Sequence, residues 1–216
     1  MRIDMAFRHS ARTVLACALT TFCIAAGTAA VMGQEAAPMP LALDTARITI
    51  EGTSNIHAYT ASTTTARLTR VQLAAGGAGP DFWASVTRPG ALETFEIAIP
   101  AATLTSPRKG LDKNMHKALN VEQYADITFR LLRLEPGAGA PGALRAVGVL
   151  QIAGVEREIA LDLAIERGDA TLSVRGEVQL LMTDFGIKPP KAMLGMLRTD
   201  PKVTVTFEAV FAVTQT

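Results

Sequence analysis

Residues Lys202 to Val213 (KVTVTFEAVFAV) set Val203, Val205, Phe207, Ala209, Phe211 and Val213 at every second position, with Thr204, Thr206 and Glu208 between them. Successive side chains of a β-strand point to opposite faces, so this pattern builds a strand with one apolar and one polar side. The rule repeats at Val155–Ile165, where Val155, Ile159, Leu161, Leu163 and Ile165 oppose Glu156, Glu158 and Asp162. At Thr171–Leu180, Leu172, Val174, Val178 and Leu180 alternate with Ser173, Arg175, Glu177 and Gln179. Glu93–Pro100, Asp126–Leu134, Leu144–Ile152 and Arg47–Thr53 follow it less cleanly, and Tyr59–Leu73 weakly. The chain is predicted to form about eight strands, each apolar on one side.

Ala153-Gly154 has the length and composition of a two-residue hairpin turn. The glycine-rich segments 74–80 and 136–142 read as turns or loops. Antiparallel strands of this kind close into a barrel or stack as a sandwich, and alternation alone does not choose. One segment departs from the strand period. In residues 110–124, Leu111, Met115, Ala118, Leu119 and Glu122 keep helical spacing, with Asp112 as N-cap and Val121 closing the apolar stripe. One helix over 110–122 in an otherwise all-β chain covers an open end or a sheet face.

The chain of 216 residues suits one domain. Arg2, Arg8 and Arg12 precede a nearly uncharged run, Thr13 to Ala30, followed by small residues and a polar stretch from Gln34. That layout is expected of a signal peptide over residues 1–33, cleaved within 29–36 and followed by a tether over 34–42 and the domain over 43–216. Thr20, Thr21, Gly27 and Thr28 interrupt the run too often for a membrane anchor. Both cysteines, Cys17 and Cys23, fall inside it, so the exported chain carries no disulfide, catalytic thiol or thiolate metal site. Export takes Lys plus Arg from 21 to 18 and Asp plus Glu from 20 to 19, which gives no electrostatic case for nucleic acid. The expected location is periplasmic or secreted.

The residues of a catalytic centre are missing. His57 and His116 are the histidines of the exported chain, and without cysteine they make a poor metal set. There is no nucleophile elbow. Gly137 to Gly142 has dinucleotide-loop spacing but opens a strand and contains Pro141. Asp184-Phe185-Gly186 echoes a kinase triplet without the other kinase signatures. Glu156 and Glu158 lie on a solvent face. The chain is therefore expected not to be an enzyme and to require no cofactor.

A long connection, 183–199, contains Pro189-Pro190 and then Met193, Leu194, Met196 and Leu197. Apolar residues on a connection need something apolar to cover. An eight-stranded barrel has an interior either filled by side chains or large enough for one small ligand, and composition leaves both open.

Five stretches resemble the YceI-like polyisoprenoid-binding family: 52–60 (GTSNIHAYT), 95–106, the helix and strand over 111–129, the hairpin 148–163, and 182–207. Ala58-Tyr59 and Ala125 depart from that family's usual residues, as does Lys113 to Lys117. The resemblance implies an all-β, antiparallel lipocalin-like barrel whose cavity holds an isoprenoid lipid or quinone, with 183–199 as a lid. His57, His116 and Tyr59 are then the expected head-group contacts. Met115, Leu119, Phe185, Ile187, Met193 and Met196 are expected to line or close the cavity, and Phe95, Phe129 and Phe207 to face the tail or fill core. Basic residues near the helix (Arg108, Lys109, Lys113, Lys117) and loop (Lys188, Lys191, Arg198, Lys202) suit a transient meeting with anionic lipid surfaces. A homodimer is compatible with this reading. A stress or structural factor that binds a protein partner through the apolar 183–197 loop is the alternative.

Overall fold

In a computed structural model, residues 40–75, 81–138, 143–192 and 197–214 are described. Ten strands run in the order β1 (Leu41–Ser54), β2 (Ala58–Thr63), β3 (Arg67–Leu73), β4 (Leu92–Pro100), β5 (Asp126–Pro136), β6 (Leu144–Ile152), β7 (Val155–Arg167), β8 (Thr171–Leu181), β9 (Lys191–Ala192) and β10 (Leu197–Val213). Helix α1 (Phe82–Val86) precedes β4, and α2 (Lys109–Leu119) lies between β4 and β5. All the ladders are antiparallel. The path is β2-β1-β10-β8-β7-β6-β5-β4-β3, with the short β9 paired to β10 outside it.

That order forces the sheet to curl. Its two edge strands, β2 and β3, are consecutive in the chain and joined by Thr64, Thr65 and Ala66 alone. A flat sheet with this strand order would hold its edges nearly ~40 Å apart, whereas the connection reaches at most ~14 Å. The sheet therefore wraps into the lipocalin-like barrel. The β2 edge meets the segment after β4: Ser62 and Thr105 exchange backbone hydrogen bonds at 2.8 and 3.0 Å, and the Thr63 and Thr103 hydroxyls lie 2.7 Å apart.

Inward residues alternate as the sequence pattern predicts along β7, β8 and β10. β1 and β5 conceal the pattern because each changes parity at a bulge, between Leu43 and Thr45 and between Leu131 and Arg133. A bulge's extra residue shifts every later side chain to the other face, and Leu132 is accordingly exposed. The weakly patterned Tyr59–Leu73 segment is two strands, β2 and β3. Leu41 and Ala42, placed by sequence in the tether, pair with Val213 and Ala212. At the β6–β7 turn Ala153 and Gly154 adopt φ of 49° and 79°, the left-handed pair a two-residue hairpin requires.

Asp112 is not the N-cap of α2. Arg108 holds that place, and the helix ends at Leu119, with Asn120 left-handed at its C-cap. Asp112 instead accepts from the Ser106 backbone N–H at 2.7 Å, which fastens the approaching chain to the first turn. In the 183–199 connection, Met182–Phe185 form a 3-10 turn closed by left-handed Gly186, and Leu197 to Thr199 already belong to β10. Met193 and Met196 lie outside the described residues, as does the expected signal peptide.

Two buried apolar clusters divide the interior. One joins Leu119 of α2 to Leu104, Ile127, Leu150, Phe185 and Ile187. The other joins Trp83 and Val86 of α1 to Leu41, Leu68, Leu172 and Phe211.

Candidate functional site

Each cluster borders open space. At the α2 end lies a chamber of about 330 Å³, and at the α1 end one of about 220 Å³. Strand glycines help to keep them open. A Cβ on Gly176 would strike the Phe207 ring, one on Gly148 the Phe129 ring, and one on Gly52 the Tyr59 ring. Each ring thus lies flat against the wall over a glycine rather than projecting into the interior, the arrangement by which aromatic residues protect bare strand backbone.

The chambers differ in chemistry. The α1 chamber is walled by aliphatic and aromatic side chains, with Thr87 and Glu208 its sole polar lining residues. The α2 chamber has an apolar floor of Ile50, Ile127, Ile152, Val203 and Val205, and gathers Ser54, His57, Tyr59, Arg108, Asn114 and Thr199. We term it the mouth chamber.

Local geometry fixes this polar group. The Ser54 hydroxyl donates to the His57 carbonyl at 2.8 Å and accepts from the His57 N–H at 3.1 Å, folding residues 54–57 into a tight turn. Asn55 ties that turn to β10. Its N–H donates to the Arg198 carbonyl at 3.1 Å, and its side-chain oxygen accepts the Arg198 N–H at 2.8 Å. Across the mouth, Arg108 Nη1 stands 2.6 Å from His57 Nε2. A guanidinium only donates, so Nε2 accepts in this contact. The Tyr59 phenol is held neutral above its ordinary range, first by burial and then by the charge of Asp200.

Six of the nine site residues expected from sequence line this one chamber: His57, Tyr59, Met115, Leu119, Phe185 and Ile187. His116 does not. Its Nε2 donates to the Leu104 carbonyl at 2.8 Å, so it fastens α2 to the chain after β4 and serves the fold. Met193 and Met196 cannot be placed, for the reason given above. Sequence reasoning gave no site role to Asn114 and Thr199 and expected Arg108 only among the basic residues that meet a lipid surface, because separations such as the 51 residues between Arg108 and His57 carry no local signal. Phe95, Phe129 and Phe207 face the α1 chamber, as do Trp83 and Val86. Phe185 and Ile187 are buried, so these two apolar side chains of the 183–197 loop turn inward.

No group of three or more His, Cys, Asp or Glu among the described residues is placed to hold a metal ion. No helix among them is long and apolar enough to cross a membrane.

The YceI-like domain family matches residues 42–211, most of the chain and all the strands that wall both chambers. The chain belongs to that family. Among solved structures, a polyisoprenoid-binding domain from Saccharophagus degradans, implicated in plant cell wall breakdown, superposes with a TM-score of 0.61 at 13% identity, covering 82% of this chain and 100% of that one. Burkholderia cenocepacia BcnA superposes with a TM-score of 0.59 at 12% identity, covering 76% and 95% respectively. At such identity the likeness shows that this YceI-like chain shares their fold. No curated protein sequence matches it.

Proposed function

We propose that this YceI-like protein is a non-catalytic carrier that holds an apolar amphiphile inside its barrel, with an isoprenoid lipid or isoprenoid quinone as the occupant. The observation that carries the reading is the segregation of the interior. One chamber is almost wholly apolar, and the other collects its polar residues at one place. A uniformly apolar void would suit any oil, and a packed core would leave none. Apolar walls with a few convergent polar groups are the general form of a small-molecule site. The S. degradans relative, described as a polyisoprenoid-binding domain, supports the choice of tail.

The polar set also indicates the head. Arg108, Tyr59, Asn114 and Thr199 offer donors, and no carboxylate lines the mouth chamber. Such a rim suits oxygen acceptors: a quinone carbonyl, a hydroxyl or a phosphate. His57, Tyr59 and Arg108 contact that head, while Met115, Leu119, Phe185 and Ile187 hold the first part of the tail. Each methylene withdrawn from water contributes about 0.8 kcal/mol, so the tail supplies most of the affinity. The N-terminal segment supports export to the periplasm or beyond, where such a lipid needs shelter from water between membranes. Protein docking through the 183–197 loop is the weaker reading, because Phe185 and Ile187 point inward.

Native mass spectrometry with organic extraction, on protein purified through its own export pathway, tests the carrier. A stoichiometric added mass that extracts as a prenyl lipid or quinone is expected. A bare polypeptide mass that stays bare after incubation with quinones and prenyl alcohols rejects the carrier. Incubating the loaded protein with anionic and neutral vesicles tests membrane contact, and equal cargo release to both would remove any role for the basic residues.

A further inference from the structure

Two chambers that share a wall pose a question about long ligands. Across β1, β10 and β8 the ladder sets inward residues in rows: Gly52, Val203 and Leu180; then Ile50, Val205 and Val178; then Ile48, Phe207 and Gly176. The first row faces the mouth chamber and the last faces the α1 chamber. Leu180 and Val205 stand in adjoining rows, on a cross-strand diagonal where side chains lie about 7–8 Å apart at the backbone. Among the described residues only these two line both chambers. Both point inward yet are half-buried, so part of their surface borders open space. Beyond them the Phe207 ring lies back over Gly176, which clears the α1 side of the division.

We propose that Leu180 and Val205 form a waist that sets which tail lengths the protein accepts. The proposal rests on the carrier reading above. A short tail is satisfied within the mouth chamber. A longer one must pass over Leu180 and Val205 into the α1 chamber, or leave its remaining methylenes in water. The side-chain volume at these two positions therefore acts more strongly on long ligands than on short ones, while the polar rim sees the same head in both cases.

The chain supplies its own reporter. Trp83 is the single tryptophan, and it lines the α1 chamber but not the mouth chamber. A ligand confined to the mouth leaves its emission unchanged, and a tail that crosses the waist shifts it. The experiment uses geraniol, farnesol and geranylgeraniol, which share one head and differ in length, and reads affinity and Trp83 emission on the exported protein. Wild type is expected to bind all three, with Trp83 responding to geranylgeraniol and not to geraniol. Val205→Phe, which narrows the waist, should abolish the Trp83 response and weaken geranylgeraniol by about tenfold or more beyond its effect on geraniol, the cost of leaving two methylenes wet. Leu180→Ala, which widens it, should let farnesol shift Trp83 and guards against a misfolded Val205→Phe. Equal losses for short and long alcohols in Val205→Phe, with Leu180→Ala unchanged, would overturn the waist. So would a Trp83 response to geraniol in wild type. Absence of binding by every alcohol in wild type rejects the carrier and the waist together, and is seen before any variant is made.

Discussion

At the α2 end of the barrel, closure is hydrogen-bonded throughout: His116 reaches the Leu104 carbonyl, Ser106 meets Asp112, and Asn55 binds the backbone of Arg198. At the α1 end, a five-residue helix caps the barrel with Phe82, Trp83 and Val86, the Phe82 and Trp83 rings meeting edge to face at 5.2 Å. There the buried Trp83 Nε1 has no hydrogen-bond partner among the described residues. Removing a buried group from a satisfied pair costs more than removing one that was never paired. The α2 end is thus positioned with directional bonds, as a rim that selects a head group must be. The α1 end is fastened as well, by the Ala84 N–H donating to Asp81 at 2.9 Å and Arg167 donating to the Thr87 hydroxyl at 2.8 Å, but its chamber gathers few polar groups.

The largest test of this contrast is Phe185→Ala. Phe185 is 3% exposed and plugs the α2 end from the 3-10 turn, held by the Ile187 N–H bond to the Met182 carbonyl at 3.0 Å. Its truncation should cost about 3–5 kcal/mol in denaturant titration, the range for emptying a buried aromatic site. A loss under ~1 kcal/mol would mean that the plug is not seated and that the mouth chamber is wider than its walls suggest.

Two ring-preserving substitutions probe the polar side of the comparison at smaller scale. His116→Phe strands the Leu104 carbonyl in a residue 1% exposed, and should cost about 1–3 kcal/mol. Trp83→Phe loses some packed area but also removes an unpaired donor, so its net effect should fall within about 1 kcal/mol of zero. Thermal melts of the pair settle the matter. If Trp83→Phe proved the more damaging, the indole N–H would have a partner and the α1 end would be as specific as the α2 end.

The strands that read clearly in sequence, β7, β8 and β10, each keep one inward parity. The bulges in β1 and β5 hid the same chemistry, since one extra residue moves later side chains to the opposite face. The run Thr63, Thr64, Thr65 contains no glycine or proline, so the break between β2 and β3 carried no turn signal. Helix α1 is too short to display a period, which is why the wall around Trp83 was missed. For the site, Met115, Leu119, Phe185 and Ile187, which the family resemblance pointed to, line the mouth chamber. The contact between Arg108 and His57 was not, because only folding brings it about. His116 shows the reverse case: a histidine beside cavity residues in sequence was expected at the ligand, and its Nε2 meets the Leu104 carbonyl.

The smallest expected effect is at Tyr59, and it reports directly on the mouth. Its phenol ionises above the ordinary 10.0, because burial disfavours the phenolate and the charge of Asp200 adds to that. The neutral form is the one the fold favours. Below pH 10 both folded and unfolded chains keep the proton and the full contribution is present. As pH rises, the unfolded chain ionises first, and stability falls until the folded midpoint is passed. Absorbance titration at a phenolate wavelength, taken as wild type minus Tyr59→Phe, isolates this group. Asp200→Asn should move the midpoint part of the way back but not to 10.0, since burial is the larger cause. A midpoint at or below 10.0 in the ligand-free protein would place the ring in water, off Gly52, and the polar rim at the mouth would lose the wall that positions it.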